Sequence, residues 1–217
     1  LILVEDLISK NGSLHPVQQA MVNYHGSQCG ICTPGFVMSL FSMFKKKSKF
    51  KDDEIRDSIS GNLCRCTGYQ PIIKAAKSLK NKNKIDHFTK NKKNIINLLK
   101  KINNKSVVIY NKGKKYFAPQ YVQELKKILK KNIDANFLSG GTDLSLTVTK
   151  ERKDIRSIIY MNSISELNYI KNNNKYIEVG ASTPLIELES YIKKYYPDFT
   201  KILKRYGSPQ IRNVATV

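Results

Sequence analysis

Long apolar segments are missing from this chain of 217 residues. No run of about 18 apolar residues is present, so we expect no transmembrane helix and no membrane partner. No signal peptide is visible either. Cysteine is equally scarce, with four residues in total, which is too little evidence for a disulfide-stapled secreted domain. We therefore predict a cytoplasmic protein whose thiols stay reduced.

Acidic residues are few. Lys and Arg number 38 against 17 Asp and Glu, which gives a formal net charge of +21. Such an excess of positive charge can bind nucleic acid or another anionic surface. The lysines, however, are scattered among asparagines and lack the interleaved aromatic residues of a base-stacking surface. We expect no nucleic-acid partner.

All four cysteines fall into two short turns. Cys29 and Cys32 form a C-x2-C pair, and Cys64 and Cys66 form a C-x-C pair. Four thiolates suit a tetrahedral zinc ion or an iron–sulfur cluster, since both take soft sulfur ligands. The narrow second pair favours a [2Fe–2S] cluster, because neighbouring thiolates can reach different irons. Zinc and ordinary redox thiols remain alternatives on spacing alone.

Apolar periodicity around these turns predicts a bundle of four helices. Pro16 favours the first turn of a helix that ends before Gly26, and His15 just before it is expected to cap or pack rather than to bind a metal. Further apolar stripes predict helices that begin near Thr33, Asp52 and Pro71. The two cysteine turns are then expected at one end of the bundle.

The remainder of the chain predicts a basic linker and a second domain. Eight lysines against one acid between 80 and 101 indicate the linker. Strands are expected at 135–138, 155–160 and 176–179, and helices after 121 and over 185–196. A Gly140-Gly141-Thr142-Asp143 turn follows the first of these strands, where exposed amides and a helix start can bind phosphate, although an ordinary turn is the alternative. The position of Asp143 holds no Walker-type lysine, which argues against an NTPase.

Three motifs carry a family resemblance. The segments Leu14–Ala20, Gly26–Met38 and Gly61–Tyr69 resemble the helical [2Fe–2S] domain of the xanthine dehydrogenase/aldehyde oxidase family of molybdenum hydroxylases. Residues 117–217 resemble the FAD-binding domain of the same family, chiefly through 137–144, 177–181 and 210–217. The resemblance implies a four-helix [2Fe–2S] domain followed by a truncated α+β FAD-binding domain.

The domain limits follow from the same resemblance. We expect residues 1–7 to end a ferredoxin-like domain, 8–80 to form the helical domain, 81–115 the linker and 116–217 the FAD-binding domain. Leu1–Leu7 is predicted to be a final strand and turn. We interpret Leu1 as the start of a fragment, so a second [2Fe–2S] cluster would belong to a missing N-terminal region.

The resemblance also assigns site residues. It implies that Cys29, Cys32, Cys64 and Cys66 ligate the cluster nearest the molybdopterin, and that Gln28 contacts the pterin. The FAD pyrophosphate would be cradled by Phe137, Leu138, Ser139, Gly140, Gly141, Thr142, Asp143 and Leu144. Tyr206 would contact the flavin. Thr216 and Val217 would open a further phosphate loop that continues beyond Val217, so the FAD site is expected to be incomplete.

The function implied is electron transfer within a hetero-oligomer. A molybdopterin-binding large subunit would hydroxylate the substrate, and electrons would pass through the [2Fe–2S] clusters to FAD and then to NAD or another acceptor. No catalytic acid or base is expected in this chain. The fusion of iron–sulfur and flavin segments favours a xanthine dehydrogenase-like subunit, and hence purine catabolism. The alternatives are another molybdenum hydroxylase, acting on aldehydes or N-heterocycles, and a zinc-stapled basic binding module without enzymatic activity.

Overall fold

The computed structural model describes residues 1–46, 49–80, 85–102 and 105–217. The chain divides into two compact units, Leu1–Ile102 and Asn103–Val217. Within the described ranges, no helix combines the length and the apolar character that a membrane crossing needs. Each unit has its own hydrophobic core.

The first unit contains the predicted bundle. Its helices are α1 (Pro16–Asn23), α2 (Thr33–Lys46), α3 (Asp52–Ile59) and α4 (Gln70–Ser78). Helix α2 supplies much of the core because its apolar residues recur every three or four positions and face inward. The fully buried core residues of the bundle include Phe36, Leu40 and Phe44 of α2, Ile55 of α3 and Ile72 of α4. The four-helix prediction is confirmed.

His15 caps the first helix. The Val17 N–H donates to His15 Nδ1 at 3.2 Å, and Gln18 Oε1 accepts from the His15 N–H at 2.9 Å. These two contacts satisfy amides that a helix start leaves without intrahelical partners. The expectation that His15 caps or packs is therefore confirmed.

The segment before the bundle differs from its prediction. Residues 5–7 form a 3-10 turn instead of part of a strand. Asp6 Oδ2 accepts from the Leu3 N–H at 2.8 Å, so the carboxylate closes a local turn. This local bond competes with extended backbone, which is a common property of short acidic side chains.

A fifth helix occupies part of the segment predicted to be a linker. Helix α5 spans His87–Lys100, and Asp86 caps it by accepting from the Thr89 N–H at 2.8 Å. Residues 81–84 and 103–104 of that segment lie outside the described residues. The boundary between the compact units falls after Ile102, and the domain limits given above stay predictions.

Asp86 also ties α5 to the bundle. Lys45 Nζ donates to both carboxylate oxygens of Asp86 at 3.0 Å, and His15 Nε2 lies 3.3 Å from Asp86 Oδ2. We call His15, Lys45 and Asp86 the clasp. Phe88 of α5 adds an apolar contact, with its ring centroid 5.6 Å from that of Phe41. The start of α5 thus belongs to the packed unit, although its local composition is polar and basic.

The second unit is built on a four-stranded sheet in the order β1-β2-β4-β3. Strands β1 (Val107–Asn111) and β2 (Lys114–Ala118) form an antiparallel hairpin, and β3 (Asn136–Leu138) and β4 (Ser157–Tyr160) continue the sheet in parallel. Helix α6 (Val122–Lys131) packs on this sheet through Leu125, against Phe117 and Ile159. Helix α6 and strands β3 and β4 lie where the sequence predicts them, whereas β1 and the start of β2 fall in the segment predicted to be a linker.

A smaller cluster completes the unit. It contains the antiparallel pair β5 (Ile170–Asn172) and β6 (Ile177–Val179) with helices α8 (Leu185–Ile192), α9 (Pro197–Arg205) and α10 (Pro209–Val214). The single helix predicted over 185–196 ends at Ile192, and Pro197 begins a new one, since proline fits the first helical turn. The short helix α7 (Leu144–Thr149) follows the glycine turn.

Candidate functional site: a cysteine centre and a glycine loop

The two cysteine turns lie at the same end of the bundle and bring the thiols together in pairs. Cys29 Sγ lies 3.5 Å from Cys66 Sγ. The Cys32 thiol interacts through a hydrogen bond with Cys64. All four cysteines are free thiols, with Cys29 and Cys66 exposed and the other two half-buried. Each close pair therefore joins one cysteine from the first turn to one from the second.

The described part of the chain holds no group of three or more His, Cys, Asp or Glu side chains arranged to hold one metal ion. The paired arrangement still passes a test of fit. Two thiolates on one tetrahedral ion, with bonds of about 2.3 Å, stand about 3.8 Å apart. The 3.5 Å between Cys29 Sγ and Cys66 Sγ is close to that value, so one iron bound by this pair is stereochemically reasonable.

The second cysteine turn is fastened to α2. Asn62 Nδ2 donates to Ser39 Oγ at 2.7 Å, and a Cβ added at Gly35 would collide with Asn62 Oδ1. The Tyr69 and Phe36 rings meet edge to face, with centroids 6.1 Å apart. A side chain at position 35 would therefore force the Asn62 side chain to move, and the second turn packs closely on α2 at this point.

Cys64 has the most polar surroundings of the four thiols. Hydrogen bonds from the Thr67 hydroxyl and the Thr67 N–H outweigh burial and lower the pKa of Cys64 to about 7. Burial raises the pKa of Cys32, and the hydrogen bond with Cys29 raises that of Cys66. Cys64 is therefore converted to a thiolate more readily than Cys32 or Cys66.

The glycine loop predicted to bind FAD lies at the carboxyl end of β3. Gly141 has φ = +72°, a left-handed conformation that favours glycine. Ser139 Oγ is 2.5 Å from Asn162 Oδ1, which ties the loop to the end of β4. Phe137 and Asp143 are exposed, whereas Leu138, Gly140, Thr142 and Leu144 are half-buried. The hydrogen bond between Ser139 and Asn162 therefore anchors the loop, while the side chains of Phe137 and Asp143 are exposed.

The structure brings this loop next to the last residues of the chain. A Cβ at Gly140 would collide with the Val214 carbonyl oxygen. Thr216 pairs with Pro184 in an isolated antiparallel bridge, and the Val217 N–H donates to the Thr183 carbonyl at 3.2 Å. Thus Thr216 and Val217 follow a segment in direct contact with the 139–143 loop. The 139–143 loop and the last residues of the chain, about 70 positions apart in sequence, therefore lie side by side and form one edge of the second unit.

Arg212 organises this edge, and sequence reasoning did not single it out. Its side chain is 1% exposed, and its Nη1 donates to the carbonyls of Lys204 and Tyr206 at 3.0 Å. Arg212 Nε also lies 3.2 Å from Glu189 Oε2. Arg212 therefore fixes the backbone at Tyr206, whose ring is half exposed. Only its position inside the quoted 210–217 motif could have drawn attention to it.

Gln28, the predicted pterin contact, is exposed beside Cys29. Its role and those of the other predicted site residues remain predictions.

Two protein families match the chain. The [2Fe-2S] binding domain matches residues 3–77, and the FAD binding domain in molybdopterin dehydrogenase matches residues 110–217. These matches cover the cysteine centre and the glycine loop separately. The cofactors expected for the two units, a [2Fe–2S] cluster and FAD, are confirmed at the level of the domains.

The chain is also similar to several individual proteins. Xanthine dehydrogenase 1 of Arabidopsis thaliana is 28% identical over 100% of this chain and 21% of its own length. Aldehyde oxidase 1 of Oryctolagus cuniculus is 48% identical over 35% of this chain and 6% of its own. The structure of carbon monoxide dehydrogenase from Hydrogenophaga pseudoflava is 28% identical, covers 50% of this chain and 38% of that chain, and gives a TM-score of 0.44.

The order of the two matches defines the class of this chain: it carries a [2Fe-2S] binding domain followed by an FAD binding domain of the kind found in molybdopterin dehydrogenase. It is homologous to the xanthine dehydrogenases and aldehyde oxidases, which are molybdenum hydroxylases. The expected fold class and family are thereby confirmed. The chain spans about a fifth of the length of xanthine dehydrogenase 1.

Proposed function

We propose that this chain is the electron-transfer part of a xanthine dehydrogenase-like molybdenum hydroxylase. A molybdopterin-binding partner would oxidise the substrate, and the electrons would pass through this chain to FAD and then to NAD. The observation that carries the proposal is the pairing of thiols from two turns inside a [2Fe–2S] domain that precedes an FAD-binding domain. A cytoplasmic location belongs to the same proposal, supported by the four free thiols.

When bound, a [2Fe–2S] cluster accepts and releases single electrons. In our proposal Cys29 and Cys66 hold one iron, and Cys32 and Cys64 hold the other, because each pair is already in contact. The hydrogen bond from Asn62 to Ser39 holds the second turn against α2. Gln28, exposed next to Cys29, is proposed to face the pterin of the partner.

On the flavin side, the 139–143 loop would hold the FAD pyrophosphate through backbone amides at the carboxyl end of β3. Glycine at position 140 lets the loop lie against the backbone of Val214, which a side chain there would displace. Phe137, Leu138 and Leu144 flank the loop, and Thr216 and Val217 supply its neighbouring edge. Arg212 would keep Tyr206 in place beside the flavin through the carbonyl bond described above.

The relatives include aldehyde oxidases as well as xanthine dehydrogenases, and the highest identity quoted, 48%, is to an aldehyde oxidase over 35% of this chain. An aldehyde-oxidising complex is therefore the second candidate. The two candidates share every step in this chain and differ in the molybdenum partner. Activity of the reconstituted complex with xanthine and with an aldehyde would separate them.

The test of the electron-transfer role is metal and flavin analysis of anaerobically purified chain, with EPR of the dithionite-reduced protein. We expect two irons per chain and a rhombic S = 1/2 signal, as a single [2Fe–2S] centre produces. One zinc and no iron after attempted anaerobic reconstitution would contradict the proposal and favour a zinc-stapled module. Salt-dependent binding of nucleic acid would then be the next property to measure.

A further inference from the structure

Thr67 closes a ring of hydrogen bonds around Cys64. Thr67 Oγ1 lies 3.1 Å from Cys64 Sγ, and the Thr67 N–H donates to the same sulfur at 3.5 Å. The Tyr69 N–H donates to Thr67 Oγ1 at 3.2 Å, and the Cys64 N–H donates to Tyr69 Oη at 3.0 Å. Thr67 thus places both its hydroxyl group and its backbone N–H against the sulfur of Cys64.

The direction of the hydroxyl bond follows from the roles of its two atoms. A cysteine that ligates a metal is deprotonated, so its sulfur can only accept. Thr67 Oγ1 already accepts from the Tyr69 N–H, which leaves its own hydrogen for the contact with Cys64 Sγ. Thr67 is therefore held with its O–H directed at the sulfur.

The first cysteine turn offers a matched comparison. Thr33 follows Cys32 in sequence as Thr67 follows Cys66. Its Oγ1, however, lies 2.6 Å from Ser27 Oγ, so it is engaged with a hydroxyl group. Two threonines in equivalent sequence positions thus have different partners, and the one in the second turn contacts sulfur.

We propose that Thr67 is a positioning residue that raises the reduction potential of the [2Fe–2S] centre by donating its hydroxyl hydrogen to Cys64. This inference rests on the proposed function. One-electron reduction adds negative charge to the centre and its sulfurs, with no proton transferred. A donor to sulfur stabilises that added charge, since hydrogen bonds to anionic acceptors are stronger than neutral ones. The electron therefore enters more readily when the hydroxyl is present.

A purely structural role for Thr67 predicts something different. If Thr67 only shaped the turn through the Tyr69 N–H, its loss would reduce cluster loading without moving the potential of the clusters that do form. Serine keeps the hydroxyl and valine keeps the shape, so these two substitutions separate the two roles. Thr33→Val removes a hydroxyl from the other turn that does not contact sulfur.

The experiment is an EPR-monitored redox titration of the iron-reconstituted 217-residue chain and three variants. We expect Thr67→Val to shift the midpoint potential to a more negative value, and Thr67→Ser and Thr33→Val to leave it close to that of the unsubstituted chain. An unchanged potential in iron-loaded Thr67→Val overturns the inference. If the unsubstituted chain binds no iron, the proposed function fails instead, so the two failures are distinct.

A second measurement covers the case in which Thr67→Val does not load. Pulsed EPR of the reduced unsubstituted chain and of Thr67→Ser, before and just after transfer into D2O, detects a hydrogen near the centre that exchanges quickly. A hydroxyl hydrogen exchanges far faster than a hydrogen-bonded amide, so its coupling should disappear at once in both proteins. Absence of any rapidly exchanging coupling overturns the inference.

Discussion

Arg212 Nε lies 3.2 Å from Glu189 Oε2, which joins α10 to α8 by a buried ion pair. The Arg212 side chain is 2% exposed and that of Glu189 is 13% exposed. Removing one member of such a pair leaves the other charge desolvated, which costs about 3–5 kcal/mol. The pair is therefore a sensitive point in the second unit.

We expect Arg212→Met to destabilise the second unit by about 3 kcal/mol. It should also speed amide exchange around Tyr206, since the bonds to the Lys204 and Tyr206 carbonyls are lost. Urea unfolding and hydrogen exchange measure the two effects. Arg205→Met, an exposed substitution on α9, is the control and should change stability by no more than about 0.5 kcal/mol. Equal effects of both substitutions would contradict the role given to Arg212.

Single replacement of Cys29, Cys32, Cys64 or Cys66 by serine should abolish the brown colour of the reconstituted chain. A missing ligand should weaken metal binding by more than the roughly 10–100-fold typical of outer-shell changes. Iron analysis and visible absorbance measure the loss. Ile31→Ser is the control, because it adds a serine to the same exposed turn and removes no thiol. Full colour in a Cys64→Ser/Cys66→Ser variant would disprove the ligand assignment.

Gly140→Ala should disturb both sides of the proposed flavin edge. The added methyl group meets the backbone of Val214 and Ala215, which cannot rotate away as a side chain can. We expect a loss of about 3 kcal/mol, at the upper end of overpacking effects. Gly113→Ala is the control, since its methyl group enters open space and only the left-handed φ of +77° costs about 1 kcal/mol. The thermal unfolding temperatures of the Gly140→Ala and Gly113→Ala variants are compared. Equal destabilisation of the two would refute the tight contact at Gly140.

The clasp makes the helical unit sensitive to acid. Burial alone raises the pKa of Asp86, but the Thr89 N–H and the Lys45 ammonium outweigh it and lower the pKa to about 2. A carboxyl with a folded pKa below its unfolded value of 3.8 stabilises the fold above pH 4 and loses that effect as pH falls towards 2. The difference corresponds to about 2 kcal/mol.

Burial also lowers the pKa of His15, against the opposing influence of Asp86. A histidine with a lowered pKa contributes stability that is lost as pH falls below its ordinary value of 6.5, so both groups act in the same direction. Asp86→Asn should cost about 2 kcal/mol at pH 7 and flatten the acid limb of the unfolding curve. Asp53→Asn, an exposed substitution on α3, is the control. A steep acid limb that persists in Asp86→Asn would assign the effect to other groups.

Much of the helical unit could be predicted from sequence because its signals are local. Pro16 marks the start of α1, the stripe that includes Phe36 and Leu40 marks α2, and the cysteine spacing indicates a shared centre. The glycine turn at 140–141 was found for the same reason. Each of these signals, including the spacing within each cysteine pair, lies in a short stretch of sequence; that the two cysteine pairs meet was inferred from their number and type.

Most of what was missed depends on distant partners. The start of α5 is stabilised by Lys45, 41 positions away from Asp86, so a lysine-rich segment that resembles a linker is partly packed. The importance of Arg212 likewise depends on Glu189 and on the carbonyls of another helix. For Leu1–Leu7, the apolar run suggested a strand, but a bond within the segment from Leu3 to Asp6 produced a turn. No periodicity encodes such contacts.

The clasp also sets an order of events during synthesis. His15, Lys45 and all four cysteines leave the ribosome before Asp86, since chains are made from the N-terminus and domains generally fold as units. Contacts between residues far apart in sequence form late because they close long loops. We therefore expect the cysteine turns to be accessible to a cluster donor before the start of α5 docks, so that metal loading and final closure of the bundle are separate steps.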